Sequence, residues 1–141
     1  MNKINCSIIS DISEVKNQFE QLQKKYHTYL PKVDPSLIND LLLRHEKNPD
    51  VIPTYIVEVF TKQGIDVDEA KEYVYQKTGM IPAIYDKGTH YVTNQKLTLE
   101  ILKEISDCED VLEVNGHYID SGTSISISYE PKSFRNYACY H

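Results

Sequence analysis

Residues 81–94 read IPAIYDKGTHYVTN, and the arrangement of the strands follows from them. Asp86-Lys87-Gly88 is a three-residue connection ending in glycine, a favoured form of hairpin turn. It joins a strand from Ile81 to Asp86 with a return strand from Thr89 to Asn94. Pro82 lacks an N–H and cannot donate to a ladder, which confines the first of these strands to a sheet edge.

Working outward, Thr54 to Thr61 (TYIVEVFT) is β-branched and aromatic with period-two alternation, a strand by composition and pattern. Gly64 breaks it. Asp66 then caps a helix carrying Val67, Ala70 and Val74, with Glu69 at the capping-box position, and Gly79 closes that helix as a left-handed cap. Beyond the hairpin, Thr98 caps a helix with Ile101, Leu102 and Ile105 on one stripe, and Leu97 and Leu102 stand at the spacing of a hydrophobic staple. Val111 to Ile119 (VLEVNGHYI) is the fourth strand. The order is βαββαβ. In the split βαβ arrangement the sheet order is 4-1-3-2, which puts the second strand, with Pro82, at an edge. The expected fold is therefore α+β, a ferredoxin-like split βαββαβ sandwich over residues 51–120 within one structural domain.

Residues 1–50 read as a helical hairpin extension. From a cap at Ser10 or Asp11, Ile12, Val15, Phe19, Leu22, Tyr26 and Tyr29 recur at alternating spacings of three and four, a seam of period 3.5. Under three heptads is short for an independent coiled coil, so packing on its own domain is the plainer reading. After Pro31, Asp34 caps a second helix with Pro35 at its first position and Leu37, Ile38, Leu41 and Leu42 as its stripe; Asn48-Pro49-Asp50 ends it. Residues 121–141 supply a C-terminal extra strand, alternating Ser124, Ser126 and Ser128 with Ile125, Ile127 and Tyr129, and an aromatic tail from Pro131.

Composition narrows function. The chain has 141 residues, 40% apolar and 26% charged, enough for a real core. A net charge of −6 argues against nucleic acid, whose binders neutralise phosphates. Arg44 and Arg135 are the only arginines, which weakens any phosphate-reading role. No run approaches the ~20 apolar residues of a membrane span. Met1 to Ser10 holds no apolar stretch long enough for a secretory signal, so a cytoplasmic location is expected. Cys6, Cys108 and Cys139 are far apart with no CxxC, so neither a disulfide framework nor a zinc knuckle is expected. The strand after the turn lacks the basic-Gly-aromatic run of RNA-recognition strands, and no glycine-rich phosphate loop is present.

Helices on one face leave the other face of such a sheet open. Parity directs Tyr55, Val57 and Val59 inward and Thr54, Ile56, Glu58 and Phe60 outward. On the fourth strand Leu112, Val114 and Gly116 read inward, leaving Glu113, Asn115 and His117 on the open face. On the third, Val92 argues that His90 points inward and Tyr91 outward. His90 and His117 are expected toward one end of the sheet but on opposite faces, which disfavours a shared metal; no metal or other cofactor is expected.

Tyr55, Tyr85, Tyr91, Tyr118 and His90 are expected near that same end, either as an aromatic pocket for a small ligand or as strand filler in a chain with 11 tyrosines and no tryptophan. Glu58 and Glu113 form a carboxylate pair able to split its pKa values, or two solvated glutamates. The ligand-binding candidates are thus His90, His117, Tyr91, Tyr85, Tyr55, Glu58 and Glu113, with no catalytic residue assigned.

The sequence favours a small oligomeric binding or regulatory module, a homodimer as first guess. Its ligand or partner would sit at the open sheet face or a subunit junction. A cofactor-free enzyme of isomerase or lyase type, using the His/Tyr cluster, stands as one alternative. An adaptor docking through the N-terminal helical hairpin is another.

Overall fold

The computed structural model describes residues 2–119; the extra strand expected at 124–129 and the aromatic tail lie outside them. The chain divides into two compact units, residues 1–31 and 32–141.

The first unit holds α1 (Asn2–Tyr29). It starts well before Ser10 and Asp11, which lie inside the helix rather than capping it. Of its seam, Ile12, Val15, Phe19 and Leu22 are exposed, whereas Tyr26 is buried.

The second unit contains α2 (Pro35–Lys47), β1 (Thr54–Thr61), α3 (Val67–Thr78), β2 (Ala83–Tyr85), β3 (His90–Lys96), α4 (Leu99–Asp107) and β4 (Val111–Tyr118). Three of its helices begin on side-chain caps. The Asp34 carboxylate accepts from the Ser36 amide at 3.0 Å, Asp66 from Glu69 at 3.0 Å, and the Thr98 hydroxyl from Ile101 at 3.2 Å. Each satisfies an amide that the first helical turn leaves without a partner. Gly79 closes α3 in the left-handed region with φ 73°. Leu97 and Leu102 are both fully buried, as a hydrophobic staple requires.

The described strands form a four-stranded sheet in the order β2-β3-β1-β4, with every neighbouring pair antiparallel. β2 is a short edge strand beginning just after Pro82, where a residue without an N–H does least harm. The other edge, β4, is partly covered. Val33 bridges Val114, with the Asp34 amide donating to the Val114 carbonyl at 3.0 Å and the Val114 amide to that of Lys32 at 2.8 Å. The architecture is mixed α+β.

The core lies between one sheet face and α2, α3 and α4. Tyr55, Val57 and Val59 alternate inward along β1, and Leu37, Ile38, Leu41, Ala70, Val74, Ile101, Leu102 and Ile105 are buried on the helices. α2 belongs to this layer: a Cβ added at Gly116 on β4 would stand 3.4 Å from both δ-carbons of Leu37.

Two assignments of facing are corrected. On β3 the buried residues are Tyr91, Thr93 and Gln95, so His90 and Val92 face the open side. Thr93 and Gln95 can occupy the core side because the Thr93 hydroxyl donates to Gln95 Oε1 at 2.7 Å, satisfying both. On β4 a register shift opposite Phe60 and Thr61 puts Val111 inward and leaves Leu112 54% exposed. Such a bulge adds a residue to one strand and inverts the parity beyond it.

No helix among the described residues is long and apolar enough to cross a membrane.

Candidate functional site

The open face is built by the outward positions of the four strands. Ladder partners share a face, so the register aligns Phe60 with His90 and Glu113, Glu58 with Val92 and Asn115, and Ile56 with Asn94 and His117. β2 adds Ala83 beside Val92 and Tyr85 beside His90. Ile56, Glu58, Phe60, His90 and Val92 are all half-buried, and Tyr85 is exposed.

His90 is the centre of a packed group on this face. Its ring stacks on Phe60 with centroids 4.3 Å apart and 11° between the planes, and Tyr85 lies at 5.4 Å. Nε2 stands 3.4 Å from Glu58 Oε1, an ion pair only when the imidazole is protonated. That atom is shielded from solvent and has no hydrogen-bond partner among the described residues; at this distance the Glu58 contact is too poorly aligned to count as one. The imidazole is thus held by two rings, with a carboxylate close enough to receive a proton-bearing nitrogen after a small adjustment.

The sequence candidates do not assemble as one cluster. His90 and His117 share the open face, contrary to the expectation of opposite faces, but they do not share an end. Their ladder partners Phe60 and Ile56 are four residues apart on β1, about 13 Å along the strand, and the two histidines are also about 10 Å apart across it. The two rings cannot converge on one metal ion, and no group of three or more His, Cys, Asp or Glu among the described residues could hold one. Glu58 and Glu113 are diagonal rather than opposed, since Glu113 faces Phe60. Glu58 lies closer to His90 than a carboxylate pairing would suggest.

The tyrosines divide three ways. Tyr85 sits with His90, and Tyr91 is buried on the helix side at 3% exposure. Tyr55 and Tyr118 meet edge to face at 5.8 Å at the opposite end of the sheet. There the Tyr55 hydroxyl donates to Asp40 Oδ2 at 2.5 Å, Arg44 Nε donates to the same oxygen at 2.9 Å, and the guanidinium lies 3.4 Å from the centre of the Tyr118 ring. Burial and the Asp40 hydrogen bond push the Tyr55 hydroxyl far above its ordinary pKa. Burial alone would raise Asp40. The hydrogen bonds from Arg44 and Tyr55 and the Arg44 charge outweigh it and hold the carboxyl below its usual value. This group ties α2 to the sheet. Asp40 and Arg44 were not among the sequence candidates, although their i, i+4 spacing on a helix is a legible pairing signal.

A second concavity lies elsewhere in the same unit. Leu41, His45, Ile52, Leu97 and Leu99 line an apolar cleft of about 210 Å³ between the end of α2 and the start of α4. That is smaller than a typical small-molecule site of ~300–1,000 Å³.

Comparison with protein-family models, with curated proteins and with solved structures finds no match for this chain.

Proposed function

We propose that the second unit is a binding module of ferredoxin-like split βαββαβ topology whose open sheet face is its recognition surface. The observation that carries this reading is the composition of that face. Ile56, Phe60, Val92 and Tyr85 form an apolar and aromatic strip, with Glu58 and His90 set into it as a polar pair. A face of this kind is too apolar to be simply solvated and too polar to be a core. Its chemistry suits an extended or flat partner carrying an apolar or aromatic group to lie on the strip and a polar hydrogen to meet Glu58.

The enzyme reading has less support. It relied on His90, His117 and the tyrosines gathered at one sheet end, and these residues are dispersed over both faces and both ends.

Selection of binders from a random peptide library tests the proposal. Peptides enriched on the wild-type protein should bind Val92→Glu at least ~tenfold more weakly, the scale expected from placing a charge in a small apolar contact. Thermal melting would establish that the variant is folded. Enriched peptides that bind both proteins equally would place the recognition surface elsewhere.

A further inference from the structure

The exposed seam of α1 has no role in the open-face reading. Ile12, Val15, Phe19 and Leu22 are 51%, 67%, 57% and 41% exposed, on a helix of 28 residues. Helices in proteins owe most of their stability to packing of an apolar face rather than to propensity. Between Ile9 and Leu22 every residue of α1 is exposed, so within its own unit this stretch presents an apolar face. The spacing identifies what would fit. Successive steps of three and four keep one stripe facing a second helix that repeats at the same period, and the chain itself supplies such a helix.

We infer that α1 pairs with α1 of a second copy of this chain as a short, parallel, two-stranded coiled coil. Ile12 and Phe19 then occupy the a positions and Val15 and Leu22 the d positions. The flanking charges select the orientation. Asp11 and Gln18 fall at g, and Lys16 and Gln23 at e. In a parallel pair each g residue meets the e residue five positions on in the other helix. That sets Asp11 against Lys16 of the second copy twice by symmetry, and Gln18 against Gln23, with no like charges opposed. An antiparallel pair that seats Phe19 opposite Val15 brings Lys16 against its own counterpart. The polar outer face, with Glu14, Asn17, Glu20 and Lys24, stays in water. The contact is isologous and closes as a dimer.

Sedimentation equilibrium of the full chain tests this directly. The wild type is expected to be a dimer at high micromolar concentration and to dissociate on dilution. Phe19→Lys should be monomeric throughout that range, its sheet intact by near-ultraviolet circular dichroism. Asp11→Lys should weaken the dimer by roughly tenfold, and Asp11→Lys with Lys16→Asp should restore it, because only the parallel register exchanges those two charges across the interface. The restoring pair leaves the apolar seam untouched, so it keeps the test decisive if Phe19→Lys does not fold. A wild type that is monomeric at every concentration overturns the inference. So does a dimer indifferent to Phe19→Lys, or an Asp11→Lys defect that the second exchange fails to repair.

Discussion

Gly116 shows how a single residue sets the distance between layers. A Cβ there would approach the Ile56 carbonyl oxygen to 2.7 Å and meet both Leu37 δ-carbons at 3.4 Å. The oxygen is backbone in a paired strand and cannot move aside. Gly116→Ala should therefore lower stability by ~1–3 kcal/mol, the cost of overpacking a close contact. Asn115→Ala, one residue along and on the open side, should shift it by less than ~0.5 kcal/mol. Urea unfolding of the two variants checks the contrast.

Asp40 gives a second prediction at this scale. Its folded-state pKa lies below the ordinary 3.8. Its contribution is therefore fully present above that value and is lost as pH falls through the lower, folded-state one. Asp40→Asn should make the acid limb of the stability profile shallower below about pH 4. A limb of unchanged slope would mean that the Tyr55 and Arg44 hydrogen bonds do not favour the charged carboxylate.

Among the elements, the hairpin turn that decided the topology carries the most backbone strain. Asp86, Lys87 and Gly88 all have positive φ, at 53°, 58° and 93°. Glycine occupies the last, where an added Cβ would also strike Val67 Cγ2 at 2.8 Å. Left-handed backbone costs an ordinary L-residue roughly 1 kcal/mol. Lys87→Gly should accordingly be neutral or stabilising by up to ~1 kcal/mol, and Gly88→Ala destabilising by ~1–2 kcal/mol. Chemical denaturation resolves differences of this size.

The same elements show what could be read before folding. Pro82 and the turn reported the edge strand, and the caps at Asp34, Asp66 and Thr98 reported three helix starts, because each is a local device with one physical purpose. The facing of β3 was not legible: THYVTNQ carries apolar and polar residues on both parities, and the choice rests on the Thr93–Gln95 hydrogen bond. The β4 bulge was hidden for a similar reason, since VLEV offers apolar residues on either side of it. The inversion on β3 is why His90 could be named but not placed. Glu58 was found, yet its neighbour His90 was assigned to the wrong face.

At the scale of the molecule the feature of consequence is asymmetry. In the second unit three helices serve one side of the sheet. The residues of the other side, from Ile56 to Val92, are half-buried at most. The apolar cleft between α2 and α4 is the rival location within that unit, and the two differ in the methyl groups they offer. Methyl chemical-shift mapping during a fragment screen separates them. The open-face account predicts that fragments perturb the Ile56 and Val92 methyls and the aromatic signals of Phe60, Tyr85 and His90. The inward Val57, Val59 and Val114 should stay unmoved. Perturbations confined to Leu41, Ile52, Leu97 and Leu99, with the Ile56 and Val92 signals unchanged, would contradict it.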